Sequence, residues 1–213
     1  MPMKIQMFTV GELFTNCYIV SCEQTKEAII IDPGFNSRSE AEKIFKFIND
    51  GAFKLKYIVN THGHPDHTCG NRMVKENFHT PILIHENDAS MLGGTNKRIA
   101  ELFGFIDSSP PPDTVLRDGD ALKFGELTLK VLHTPGHSRG SITLIGKKYV
   151  FTGDTLFAGS IGRTDFPESS ESDMKTSLKK LAALPKYFLV YPGHGPPTTI
   201  GAERQSNPFF RWL

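Results

Sequence analysis

Two unbroken apolar runs constrain this chain most. Ala28-Ile29-Ile30-Ile31 stops at Asp32-Pro33-Gly34, and Tyr57-Ile58-Val59 stops at Asn60-Thr61-His62-Gly63-His64-Pro65-Asp66-His67. A strand without polar alternation must be covered on both faces, so neither run suits a sheet with one face in water. Between them lies a helix predicted over 38–50, with Ser37 and Glu40 in capping-box spacing and Ala41, Ile44, Phe45 and Ile48 on one face. Further strands are predicted at 3–9 and 17–22, at Pro81-Ile82-Leu83-Ile84-His85, and at 187–194. A short helix is expected over 70–78, another near 86–103, and a stiff loop at Pro110–Pro112. Residues 114–134 read as a meander, with turns at Asp118-Gly119 and Gly125. Two more strands follow in 140–154, then a helix over about 171–184. Ser170 and Asp173 cap it, and Met174, Leu178, Leu181 and Leu184 form its stripe. Strands and helices mix through both halves. That predicts a layered α/β fold with two sheets, not a single doubly wound sheet.

Totals narrow the function classes. The chain has 213 residues, the size of one domain with a real core. Its net charge of +1 offers no field for nucleic acid or an anionic membrane. No apolar window approaches the length of a transmembrane helix, and the first ten residues lack the pattern of a secretory signal. Three cysteines, Cys17, Cys22 and Cys69, argue against a disulfide scaffold and for a reducing cytosol.

Four strand ends carry residues that bind metals: "YIVNTHGHPDH", "VLHTPGH", "YVFTGD" and "LVYPGH". The candidates are His62, His64, Asp66, His67, His137, Asp154 and His194. An N/O set without thiolate suits Zn, Fe or Mn. Seven ligands exceed one tetrahedral ion and fit two ions about 3.5–4 Å apart, with a bridging carboxylate and an open position for a shared hydroxide. Pro65 suits the first turn of a helix, which would fix how Asp66 and His67 project. Glycines before His137, Asp154 and His194 fit a close approach of backbone to the site. A weak internal echo pairs "IIIDPG" with "YVFTGD".

The ordered set H-x-H-x-D-H, His after T-P-G, Asp after T-G and His after P-G resembles the metallo-β-lactamase superfamily over nearly the whole chain. The resemblance implies a single domain with a four-layer αββα sandwich, two mixed β-sheets flanked by helices, and a dinuclear site at its edge. It implies one ion on His62, His64 and His137, another on Asp66, His67 and His194, and Asp154 bridging. Asp32 matches a position near the metal loop, where we expect it to support a ligand and not to bind metal.

Within the superfamily, secreted lactamases need a signal peptide, and many place Cys where this chain has Asp154. The RNA-processing nucleases carry a large insertion, and the di-iron flavoproteins place Glu where His64 stands. "FTGDTLFAGSIGRTDFPESS" and "VYPGHGPPTTIGAERQSNPF" resemble the short glyoxalase II branch, the hydroxyacylglutathione hydrolases. That implies a cytoplasmic zinc hydrolase of a small thioester, S-D-lactoylglutathione or a related hydroxyacyl thioester. A metal-bridging hydroxide would attack the carbonyl, with Asp66 and Asp154 orienting it. Longer members add a C-terminal helical region that contacts glutathione. With about 19 residues after His194, no separate domain of that kind is expected here. Arg163 falls where longer members carry a basic residue near the thiol, so it either pairs with a substrate carboxylate or is a surface Arg.

Three other readings stand beside this one. A persulfide dioxygenase would use a single iron on His62, His137 and Asp154. A lactonase would use the same dinuclear set, and a non-catalytic module would bind metal without turnover. The other polar features take simpler readings: His79 as surface, His85 as structural, His133 as packing or support, and Cys69 as a small buried side chain.

Overall fold

The structure is a computed structural model and describes residues 3–93 and 109–212. Six strands form one mixed sheet in the order β1-β2-β3-β4-β5-β6. They are β1 (Met3–Val10), β2 (Thr15–Cys22), β3 (Glu27–Ile31), β4 (Lys54–Val59), β5 (Ile82–His85) and β6 (Thr114–Leu116). The first three pair antiparallel and the rest parallel. A parallel pair needs a crossover, and helix α1 (Arg38–Asp50) supplies it between β3 and β4.

The second mixed sheet contains β7 (Ala121–Phe124), β8 (Leu127–His133), β9 (Ile142–Ile145), β10 (Tyr149–Gly153), β13 (Leu189–Pro192) and β14 (Thr198–Thr199). Its order is β14-β13-β10-β9-β8-β7. A small ribbon pairs β11 (Leu156–Phe157) with β12 (Ser160–Ile161). The remaining helices are α2 (Pro65–Thr68), α3 (Asn71–Phe78), α4 (Glu171–Ala182) and α5 (Ile200–Ser206).

Strand periodicity divides the core into three layers. Along β2 and β3, Tyr18, Val20, Ile29 and Ile31 point between the sheets, where they meet Leu129, Val131, Leu144 and Phe151. Their neighbours Cys17, Ile19, Ala28 and Ile30 point the other way, onto Ala41, Ile44 and Ile48 of α1 and Val74 of α3. On the second sheet, Val150 and Val190 face Met174, Leu178 and Leu181 of α4 and Ile200 of α5. Helices therefore cover the outer face of each sheet, giving the helix–sheet–sheet–helix order. This is why β3 reads as unbroken Ile: both of its faces are interior. Each such side chain withdrawn from water contributes roughly 1.5–3 kcal/mol.

The caps sit where the sequence places them, with one difference of detail. Ser37 accepts the Glu40 amide and Ser170 accepts the Asp173 amide. The Glu40 carboxylate accepts the Ser37 hydroxyl and the distant Gly11 amide, so it also ties the β1–β2 turn to α1. Residues 114–116 depart from the expected meander. They run parallel to β5 in the first sheet, and the chain changes sheets at the Arg117–Asp120 turn. Of the helix expected near 86–103, a 3-10 segment forms over Glu86–Met91, and residues 94–103 lie outside the described residues.

Candidate metal centre

Strands β8, β10 and β13 run in one direction, so their C-terminal ends share one edge of the second sheet. His137 follows β8, Asp154 follows β10 and His194 follows β13. The end of β4 joins them from the first sheet, where Thr61 O accepts the Ile142 amide. His62 and His64 lie in the loop after β4. Pro65 opens α2, which carries Asp66 and His67. Glycine is required at two of these approaches. A Cβ on Gly193 would overlap Asp154 Oδ1 and crowd His67, and one on Gly153, at φ +48°, would overlap the Thr61 hydroxyl.

All seven sequence candidates converge. Their donor atoms fall into three groups, each within 4.8 Å: His62, His64 and His137; Asp66, His67 and His194; and His62, His67 and Asp154. The third group joins the other two. His67 Nε2 lies 3.2 Å from His194 Nε2 and 3.4 Å from both Asp66 Oδ2 and Asp154 Oδ1. Asp154 Oδ2 lies 3.5 Å from His137 Nε2 and from His194 Nε2. These separations match the edge of a tetrahedron, about 3.3 Å for metal–nitrogen bonds of about 2.0–2.1 Å. The pair His64 Nδ1 and His137 Nε2 is tighter, at 2.8 Å.

The donor set also fits a cation by what it leaves unpaired. Among the described residues His62 Nε2 and Asp154 Oδ1 are buried without a hydrogen-bond partner, and both belong to the converging atoms. Buried polar atoms without partners are costly, and a shared cation is the group that satisfies a lone pair and a carboxylate together.

Four of the five imidazoles are aimed by a contact on Nδ1. His62 Nδ1 meets the Thr61 hydroxyl at 3.2 Å, and His67 Nδ1 meets Asp32 Oδ2 at 3.0 Å. His137 Nδ1 donates to Arg163 O, and His194 Nδ1 donates to Leu13 O. Such contacts fix the tautomer that offers Nε2 inward. Asp32 also accepts the Thr61 amide and hydroxyl, so it ties His67 to the loop after β4. The echo between "IIIDPG" and "YVFTGD" thus places Asp32 and Asp154 on opposite nitrogens of one ring.

Electrostatics follow from this packing. Burial keeps His62 neutral, well below the usual imidazole range, and likewise lowers His137. Burial alone would raise Asp154, but His67 and His194 outweigh it and hold the carboxyl well below its usual range. Burial also opposes protonation of His67 and His194. For His67 the carboxylates of Asp66, Asp154 and Asp32 win and push it up to about 9. For His194 those of Asp154 and Asp66 push it up to about 10. In effect these two protons stand in for a cation, and a metal held by these rings would displace them. Loading metal near pH 7 should therefore release close to two protons per chain, with the release fading as pH rises through about 9–10. Calorimetry in buffers of different ionisation enthalpy measures it.

Several supporting residues carry no sequence signal. Asp88 is buried. Its Oδ2 accepts Gly63 N–H at 3.0 Å and the Ser138 hydroxyl at 2.6 Å, and its Oδ1 accepts Gly140 N–H at 2.6 Å. It clamps the His62–His64 loop to the His137 loop. Thr15 donates to Asp66 Oδ2, while Asn16 and Tyr18 donate to carbonyls flanking His194. Asn60 and Asn71 form a buried amide pair that also holds His67 O. Glu168 Oε1 meets His64 Nε2 at 3.0 Å. Burial would raise the Glu168 carboxyl, but the bond from His64 prevails and lowers it.

Other sequence candidates fall outside the cluster. Arg163 is exposed at the rim. It binds Asp165 with two nitrogens and stacks on Phe166, whose ring meets His64 and His137. His85 and His133 stack at 4.1 Å, His79 caps α3 on the surface, and Cys69 is buried against Phe35 O.

The profile of the Metallo-beta-lactamase superfamily matches residues 10–194. The chain belongs to this superfamily. Among curated relatives, hydroxyacylglutathione hydrolase GloC of Haemophilus influenzae is 36% identical, over 97% of this chain and 98% of its own. Among solved structures, the BLEG-1 B3 metallo-beta-lactamase aligns with TM-score 0.85 and 32% identity, over 97% of this chain and 99% of its own. TTHA1623 in a di-iron-bound form gives 0.84 and 35%, over 96% and 99%. ETHE1 from Myxococcus xanthus gives 0.79 and 28%, over 96% and 83%. The superfamily fold implies divalent metal ions, and the His/Asp groups described above could hold them.

Proposed function

We propose that the protein is a metal-dependent thioester hydrolase acting on S-D-lactoylglutathione or a related hydroxyacyl thioester. One observation supports this above the others: two complete triads of N/O donors face each other, and Asp154 groups with a histidine of each. On this reading His62, His64 and His137 hold one divalent ion, Asp66, His67 and His194 hold the second, and Asp154 bridges. Zinc is the proposed metal, and iron and manganese suit the same donors. Two such ions supply a Lewis acid for the carbonyl and water acidic enough to ionise near neutrality.

The protein's own groups do the rest. Asp66 and Asp154 are held below the usual carboxylate range and face His67 and His194, so as carboxylates they would orient the attacking water and accept hydrogen bonds from it. Thr15 holds Asp66 in place through Oδ2. Phe166 forms an apolar wall beside His64 and His137 that limits water on that side. A thiolate leaves readily, so no strong general acid is needed beyond the centre. The 36% identity to GloC supports a hydroxyacylglutathione-type substrate.

Arg163 is the proposed contact for a carboxylate on the thiol portion. Its side chain is 58% exposed and its guanidinium is already engaged by Asp165, so solvent screens what it adds. Arg163→Ala should raise KM for thioesters with a charged thiol by only about 2–5-fold, with kcat unchanged. An unchanged KM in steady-state assays would return Arg163 to the surface.

A persulfide dioxygenase is the second reading, because His62, His137 and Asp154 also lie together. An anaerobic activity panel separates the two. Hydrolysis of hydroxyacyl thioesters without oxygen, faster than of lactones or β-lactams, supports the proposal. Oxygen uptake on glutathione persulfide with no thioester hydrolysis overturns it.

A further inference from the structure

We infer that Glu168 is a positioning residue for His64 and controls how firmly the His62/His64/His137 position holds its ion, independently of the other position. The inference rests on the two-ion reading above. It starts from an asymmetry among the five imidazoles. Four offer Nε2 to the centre and have Nδ1 held by a neighbour. His64 is turned over: its Nδ1 faces His137 Nε2 at 2.8 Å, and its Nε2 faces Glu168 Oε1 at 3.0 Å.

Two of the five rings are thus backed by a carboxylate, one in each triad. Asp32 backs His67 and Glu168 backs His64. A carboxylate that accepts the outer N–H fixes the tautomer, leaves the lone pair on the inner nitrogen and strengthens the ligand. The two supports differ in setting. Asp32 is buried and bound to Thr61 as well, whereas the Glu168 side chain is 30% exposed at the rim.

The segment around Glu168 is fixed to the His137 loop, which packs beside His64. Phe166 packs on the rings of His64 and His137. The Ser169 hydroxyl donates to His137 O at 2.6 Å, and Ser170 N–H donates to Gly136 O at 2.8 Å. Ser170 then caps α4. Glu168 is therefore presented to His64 by backbone anchored on both sides, and its contact does not depend on a free loop finding its partner.

The test counts zinc and needs no turnover. Zinc-loaded protein is equilibrated with graded chelator, and zinc per chain is measured for the parent, Glu168→Ala and Glu168→Gln. In Glu168→Ala one zinc should leave with about 10-fold weaker affinity, the low end of the range for such supports because this carboxylate is partly exposed. The second zinc should follow the parent curve. Glu168→Gln keeps an acceptor without the charge and should fall between. Equal loosening of both ions would mean a general structural role, and parent-like curves would mean no role; either overturns the inference while leaving the two-ion reading intact. A parent chain that takes up fewer than two zinc ions overturns both.

Discussion

Replacing Asp154 with alanine should abolish thioester hydrolysis and strip metal from the protein. Asp154 lies within 3.5 Å of His67, His137 and His194, and its Oδ1 is buried without a hydrogen-bond partner. Its removal takes away a carboxylate that faces histidines of both triads. It also leaves His67 and His194 facing less negative charge. A fall in kcat of about 10³-fold or more is expected, equivalent to about 4 kcal/mol of barrier. Bound metal should fall below two ions per chain. Asp154→Asn keeps the volume beside Gly193 and isolates the charge, so it should bind metal poorly while folding normally. Metal analysis alongside steady-state rates checks both variants. A variant with full metal and full rate would show that the bridge lies elsewhere.

Asp88→Ala should give the largest loss of stability. Three donors meet this buried carboxylate: the amides of Gly63 and Gly140 and the Ser138 hydroxyl. Ser138 can turn to Ser141 at 2.7 Å, but the amides of Gly63 and Gly140 both lose the Asp88 carboxylate as acceptor. At about 1–3 kcal/mol for each buried amide that loses this charged acceptor, the expected cost is roughly 2–6 kcal/mol. For a chain of this size that lowers Tm by on the order of 10 °C. Activity should fall even well below the melting transition, because the His62–His64 loop and the His137 loop lose their common anchor. Asp88→Asn must turn an NH2 toward an N–H donor, so it should lie between parent and alanine. Thermal melts at matched metal loading measure the effect, and a parent-like Tm for Asp88→Ala would refute the clamp.

What the sequence reveals and what it hides have a physical basis. Apolar periodicity is local, so β3, β4, α1 and α4 are visible in short windows, and unbroken Ile in β3 correctly signals two covered faces. The seven converging residues are also visible, because histidine and aspartate after apolar strands are unusual enough to stand out. Residues 114–116 mislead because sheet membership is set by pairing with β5, about thirty residues earlier in the chain, and not by the turn that follows. The supports are hidden for a similar reason. Asp88 and Glu168 are ordinary acids in polar stretches, and their partners lie 25, 52 and 104 positions away. Thr15 meets Asp66 only once β2 and β4 have joined the first sheet, and Asn16 meets the His194 loop only once the two sheets have packed. Asp32 is the exception, since the family resemblance matches it to a position near the metal loop.

Metal stoichiometry measured together with oxygen dependence tests the central claim most directly. The expected result is two divalent ions per chain and thioester hydrolysis that proceeds at full rate without oxygen. One iron per chain, with turnover only when oxygen is consumed, would contradict it and assign His62, His137 and Asp154 to a mononuclear site.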